Sequence, residues 1–262
     1  MPVCMPSFMG RLRYDWGLRL ESKRFRANQQ RHYRETSYFL CHVPAVGTAM
    51  MSQESDSDPL TESKAQLRKV FKDKRRSLDY EVRRTCHSAI ANHLAILLAA
   101  GNGINNLAVY FSRPDEVDLA AWMESAWSAG KHLYAPVVMQ ITGQMDFYPI
   151  NATTKIERGR FNLRKPVLDD GAVPALPENL DAVLMPLVSF DTRGGRLGKG
   201  GGFYDRYFAN PATRPWMIGV AYNIQHSEQR LPAQPWDIPL DALVTESGYQ
   251  IFAAQHSADL KE

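Results

Sequence analysis

Residues 182–190 read AVLMPLVSF, an almost unbroken apolar run that ends abruptly in DTRGGRLGKGGGFYDRYF, residues 191–208. An apolar run of this length without polar alternation is a strand buried on both faces, and such a strand demands a sheet with cover on each side. The rest of the pattern supplies it. Further strands are expected at NLAVYFS (106–112), HLYAPVV (132–138), MDFYPI (145–150), WMIGVAY (216–222) and ALVTE (242–246), with helical segments among them. This alternation predicts an α/β fold: a mixed, largely parallel sheet with helices on both faces and a glycine-rich loop after a core strand.

The first helix is signalled by acids, Pro59 and a choice of cap between Thr61 and Ser63. Leu67, Val70, Phe71 and Leu78 form its apolar stripe, and Lys64, Arg68, Lys72 and Arg75 form a basic ridge on the opposite face. A second helix from about Asp79, ending at Gly101, buries Val82, Cys86, Ile90, Leu94 and Leu97. A third, DLAAWMESAWSAG (118–130), has Asp118 as its expected N-cap and Gly130 as its stop.

These signals confine the domain to residues 52–262. Residues 1–51 show neither helical nor strand period and are expected to be an unstructured leader, or sequence upstream of a real start at Met50 or Met51. Of the 31 Lys/Arg and 28 Asp/Glu, eight and three fall in residues 1–50, leaving 23 basic against 25 acidic over the rest. The apparent basicity belongs to the leader, so the body gives no reason to expect a nucleic-acid partner. No window carries the roughly 18 consecutive apolar residues of a membrane span. The three cysteines, Cys4, Cys41 and Cys86, form neither a CxxC pair nor an even framework, which points to a reducing cytoplasm. The seven histidines lack HxxxH or HxH spacing, which argues against a zinc site built from them.

In a doubly covered sheet, ligands sit beyond the C-terminal ends of the strands, which is where residues 191–208 lie. Glycines let backbone N–H groups approach an anion, Arg196 and Lys199 add charge, and GFYDRYF reads as a helix start whose amides favour an anion too. A carboxylate at Asp205, on that first turn, faces bound phosphates only with a cation between them, for which Mg²⁺ is the natural choice. GRLGKG (195–200) is no Walker loop, being too short and without a hydroxyl after the lysine. The absence of GxGxxG with a following acidic residue argues against a dinucleotide.

RLGKGGGFYDR (196–206) closely resembles the signature of the 5-formyltetrahydrofolate cyclo-ligase, or 5,10-methenyltetrahydrofolate synthetase, family. SKAQLRKVFKDKRRSL, VYFSRPDEVDL, VLMPLVSFDTRGGRLG and LPAQPWDIPLDALVTE resemble it in the same order, so the resemblance covers about residues 60–247. It implies an ATP- and Mg²⁺-dependent ligase, which is expected to be a cytoplasmic monomer. The implied partners are ATP and 5-formyltetrahydrofolate, with or without a polyglutamate tail, and neither nucleic acid nor membrane.

By matching, Lys64, Arg68, Arg196, Leu197, Gly198, Lys199, Gly200, Gly201, Gly202, Phe203 and Tyr204 are implied ATP ligands, with Lys199 catalytic. Phe111, Glu116, Phe161 and residues 199–203 are implied on the folate side, and Asp205 and Asp237 as the magnesium carboxylates. Phe161 stands where some members carry a ring-stacking tryptophan, and Gly201 where some carry a lysine. Lys69, Lys72, Lys74, Arg75 and Arg76 are expected on a solvated face. Two other readings are weighed: a different ATP-dependent phosphoryl or acyl-activating enzyme, and a nucleic-acid-binding or regulatory module that uses the basic leader and first helix.

Overall fold

The structure is a computed structural model that describes residues 59–252 apart from 102, 140, 141 and 143. The expected leader, residues 1–51, lies outside the described residues. All elements below belong to the compact unit of residues 53–100 and 104–262.

Helices α1 (Pro59–Arg76) and α2 (Tyr80–Ala100) come first, then β1 (Asn106–Ala108), α3 (Ala120–Ser128), β2 (His132–Val138) and β3 (Met145–Ile150). A hairpin of β4 (Ile156–Arg158) and β5 (Arg164–Pro166) precedes β6 (Ala182–Pro186). A second short hairpin pairs β7 (Ser189–Phe190) with β8 (Arg196–Leu197), and helix α4 (Phe203–Tyr207) follows. Strands β9 (Trp216–Val220), β10 (Ala242–Thr245) and β11 (Gly248–Ile251) complete the order.

Seven strands form the main sheet in the order β11-β10-β9-β6-β1-β2-β3. The five inner strands are parallel, and β3 and β11 are antiparallel edges. From β1 the chain steps to β2 on one side and later to β6 on the other. Strand order therefore reverses between β1 and β6, and a crevice opens beyond their C-terminal ends.

Both sheet faces are covered, as the continuous apolar run requires. Val183, Met185, Met217 and Leu243 pack with Phe203, Tyr204 and Tyr207 of α4 on one face. The alternate residues Leu184, Ile218 and Val244 point the other way, where α2 brings Ile90, Leu94 and Leu97, all fully buried. At about 0.8 kcal/mol per buried CH₂, side chains of this size dominate the stabilisation of the sheet.

Several expected details are corrected. The strand read over residues 182–190 breaks: Pro186, with no N–H to give, ends the parallel ladder, and β7 leaves to pair with β8. Regular pairing of β1 stops at Ala108, although the Val109 amide still donates to the Tyr134 carbonyl at 2.8 Å. Leu119, not Asp118, occupies the N-cap position of α3; the Asp118 carboxylate accepts from the Ala120 amide at 3.3 Å from one residue earlier. Gly130 stops that helix as expected, at φ 75°. On α1 and α2 the stripes are narrower than their periods suggest, since Val70 and Val82 are exposed.

Candidate active site

The crevice at the strand-order reversal is a cavity of about 990 Å³. All sixteen side chains or backbones singled out from the sequence line it: Lys64, Arg68, Phe111, Glu116, Phe161, Asp205, Asp237 and the nine residues 196–204. Its wall carries twelve lysines and arginines but four acids, Asp115, Glu116, Asp205 and Asp237. Such a surplus of cations in one concave site selects anionic ligands.

The glycine loop is built from the β7–β8 turn. Asp191, almost fully buried, takes the amides of Arg193 and Gly195 on one carboxylate oxygen and that of Leu231 on the other, each at 2.9 Å. A Cβ on Gly195 would lie 2.4 Å from the second oxygen, so this close approach needs glycine. After β8 the chain runs out through Gly198 and returns at Gly202, whose φ of 61° starts α4.

Helix α1 closes the side of the cleft that holds the glycine loop. Arg68 donates through Nε to the Gly198 carbonyl at 2.9 Å, and Lys64 pairs with the Asp237 carboxylate. Burial lowers the pKa of the Arg68 guanidinium, an effect the Asp237 charge opposes. Arg75 corrects the expectation of a solvated ridge, for it is 3% exposed. Its Nη2 meets Asp115 at 2.6 Å and its Nη1 donates to the Leu187 carbonyl at 3.2 Å. The signal was present in the spacing: positions 64, 68 and 75 share one helical face.

The other wall follows β1. Glu116, 3% exposed, accepts the Arg113 amide on Oε2 at 3.0 Å, while its Oε1 ion-pairs with Lys199 across the cleft. Burial pulls the Lys199 ammonium below the ordinary lysine range, and the Glu116 carboxylate opposes that pull. Phe111 lies under the Arg164 guanidinium, 5.6 Å from ring centre to carbon. Phe161 is 57% exposed, holds a left-handed backbone at φ 57°, and sits 6.2 Å from the Phe203 ring. An exposed aromatic in a strained conformation on a cleft wall is a common mark of a ligand contact.

Both aspartates line the cleft where α4 faces the loop before β10. Asp205 Oδ1 accepts from Arg196 Nη2 at 2.5 Å and from the Ile238 amide at 3.1 Å. Asp237 Oδ2 accepts from Lys64 and, at 2.7 Å, from the Gln234 amide. Each keeps one oxygen that no described donor reaches. No group of three or more His, Cys, Asp or Glu among the described residues makes a ready metal cage. Two hard carboxylates in a cation-rich cleft nevertheless fit Mg²⁺, which takes one or two protein carboxylates and completes its shell with waters and phosphate oxygens.

Sequence reasoning missed Arg75, Asp115, Asp191 and Arg164. It also missed Trp236, which is 68% exposed on the cleft wall beside Asp237. An aspartate three residues before a Gly-Gly pair is itself a turn signature that could have found Asp191.

A largely parallel α/β sheet whose switch-point crevice joins a glycine loop to a cationic wall defines an enzyme of anionic small molecules. Comparison with known proteins narrows that class. The model of the 5-formyltetrahydrofolate cyclo-ligase family matches residues 60–246. The chain is 34% identical over 187 residues to the 5-formyltetrahydrofolate cyclo-ligase of Haemophilus influenzae, covering 70% of this chain and 98% of that one. It is 39% identical over 147 residues to the Escherichia coli K12 enzyme of the same name, covering 55% and 79%. The solution structure of Aquifex aeolicus 5,10-methenyltetrahydrofolate synthetase superposes with a TM-score of 0.62 at 30% identity, over 76% of this chain and 99% of that one. The Mycoplasma pneumoniae synthetase gives 0.57 at 26% identity, over 70% and 98%. The chain belongs to the 5-formyltetrahydrofolate cyclo-ligase family.

Proposed function

We propose that the chain converts 5-formyltetrahydrofolate to 5,10-methenyltetrahydrofolate with ATP and Mg²⁺, releasing ADP and phosphate. The observation that carries this reading is the shared cleft: the glycine loop and the Glu116–Phe111 wall face one another, joined by the Lys199–Glu116 ion pair. The formyl oxygen on N5 attacks the γ-phosphorus, and the bond to ADP breaks. N10 then attacks the activated formyl carbon, whose C–O bond breaks to release phosphate, and the N10 proton departs with it. A phosphorylated oxygen leaves far more easily than hydroxide, which is why the reaction needs ATP.

Such chemistry asks the protein for position and charge. Lys64, Arg68, Arg196 and the loop amides hold the nucleotide phosphates, and Lys199 neutralises charge on the transferring group. Glu116 accepts the amino and ring N–H donors of the pterin, and Phe111 and Phe161 flank its ring. Asp205 and Asp237 would hold Mg²⁺, which supplies charge neutralisation at the phosphates when bound. Gly201 lacks the lysine of some relatives, so Lys199 serves alone. The nucleic-acid reading rested on the basic leader, which lies outside the described residues, and on the ridge Lys64, Arg68, Lys72 and Arg75, all of which line the cleft.

Protein, ATP, Mg²⁺ and 5-formyltetrahydrofolate together should yield the methenyl chromophore and ADP in equal amounts, and neither without folate. A folded sample that produced no chromophore would contradict the reading. The same assay carries a pH signature. Lys199 works protonated and its folded pKa is lowered. Turnover is therefore full below that value and falls as pH rises through it, below the ordinary lysine range.

A further inference from the structure

Arg75 is not assigned any role above, yet it is the most deeply buried cation of the cleft, at 3% exposure. Its guanidinium spans the strand-order reversal. Nε and Nη2 both reach Asp115 Oδ2, at 3.2 and 2.6 Å, on the loop after β1. Nη1 donates to the Leu187 carbonyl just past β6, at 3.2 Å, and lies 3.8 Å from Glu116 Oε1. Burial alone would raise the Asp115 carboxyl, but the Arg75 hydrogen bond and charge hold it below the usual carboxylate range. The Leu187 carbonyl also takes the Gln225 side chain at 2.7 Å, and the Glu116 carbonyl takes the Tyr222 hydroxyl at 3.1 Å. The strand end and the carboxylate loop are thus both anchored from below, and the Arg75 guanidinium ties them to each other and to α1.

We infer that Arg75 is a positioning residue for folate recognition. It sets the place of Glu116 by clamping the neighbouring Asp115 to the end of β6, with its own Nη1 standing 3.8 Å from Glu116 Oε1. A lysine cannot hold that clamp, because only the planar fork reaches a carboxylate and a carbonyl at once. This inference rests on the reading of Glu116 as the pterin ligand and adds a residue to it.

The test compares Arg75→Met, Arg75→Lys, Asp115→Asn and Glu116→Gln, each checked for cooperative thermal unfolding. Equilibrium binding of 5-formyltetrahydrofolate and of ATP is measured separately. Arg75→Met should weaken folate binding about tenfold while leaving ATP binding within about twofold, since a truncated charge-assisted contact is at stake. Arg75→Lys should recover only part of the loss, and guanidinium at tens of millimolar should restore part of it in an Arg75→Ala protein. Folate binding by a folded Arg75→Met protein at the wild-type level, with Glu116→Gln impaired, overturns this inference alone. Wild-type folate binding by Glu116→Gln overturns the pterin reading and this inference with it. Should Arg75→Met not fold, Asp115→Asn decides: it keeps the arginine and weakens only the clamp, and unchanged folate affinity there overturns the inference.

Discussion

The surroundings of Lys199 and of the two aspartates separate their proposed roles. Asp205 and Asp237 each lean on a cation, Arg196 or Lys64, and keep one oxygen clear of described donors. Changing either to Asn removes a charge from the proposed metal site without changing its size. Turnover should fall by about a hundredfold, and raising Mg²⁺ should restore part of it. Lys199→Met should cost a similar factor with no recovery at high Mg²⁺, because charge on the transferring group is lost and not the metal. Identical Mg²⁺ titrations in all three variants would show that the roles are assigned wrongly. At this scale the sequence was most legible where a motif was dense. Residues 196–205 could be read one by one, whereas for Arg75 the spacing gave the helical face but not the partners, since nothing in an arginine on a basic ridge reveals that two acids wait across 40 residues of chain.

The β7–β8 hairpin shows what local sequence carries and what it leaves open. The turn runs through Gly194 and Gly195, but the reason for it is Asp191, which satisfies three backbone amides from two segments. Asp191→Ala leaves those amides without their acceptor in a buried place, and should destabilise the protein by about 3 kcal/mol in denaturant titration. Gly195→Ala should destabilise it as well, because the new Cβ meets the carboxylate. Melting of Asp191→Ala at the wild-type midpoint would mean that the turn is held by something else. Helix and strand centres were readable from period alone, and β2 and β3 emerge with the expected limits. Ends were not: the break after Pro186 depends on carbonyls being taken by Arg75 and Gln225, contacts of long sequence separation. The β4–β5 hairpin escaped notice because its first strand is exposed throughout, so no apolar alternation marks it.

For the whole molecule, strand order explains why five scattered segments form one site. Reversal between β1 and β6 brings the loop after each to the same crevice, and α1 lies across both. The α/β class followed from apolar runs, but the order of strands did not, because parallel pairing is decided by contacts far apart in the chain. In the proposed reaction the crevice gathers the phosphate ligands and the carboxylate wall, and one oxygen of the folate is phosphorylated and then expelled. That route has a tracer. Single-turnover reaction of 5-formyltetrahydrofolate carrying oxygen-18 in the formyl group, in ordinary water, should place the label in the released phosphate. Label recovered in water, with phosphate drawing its fourth oxygen from solvent, would contradict the account.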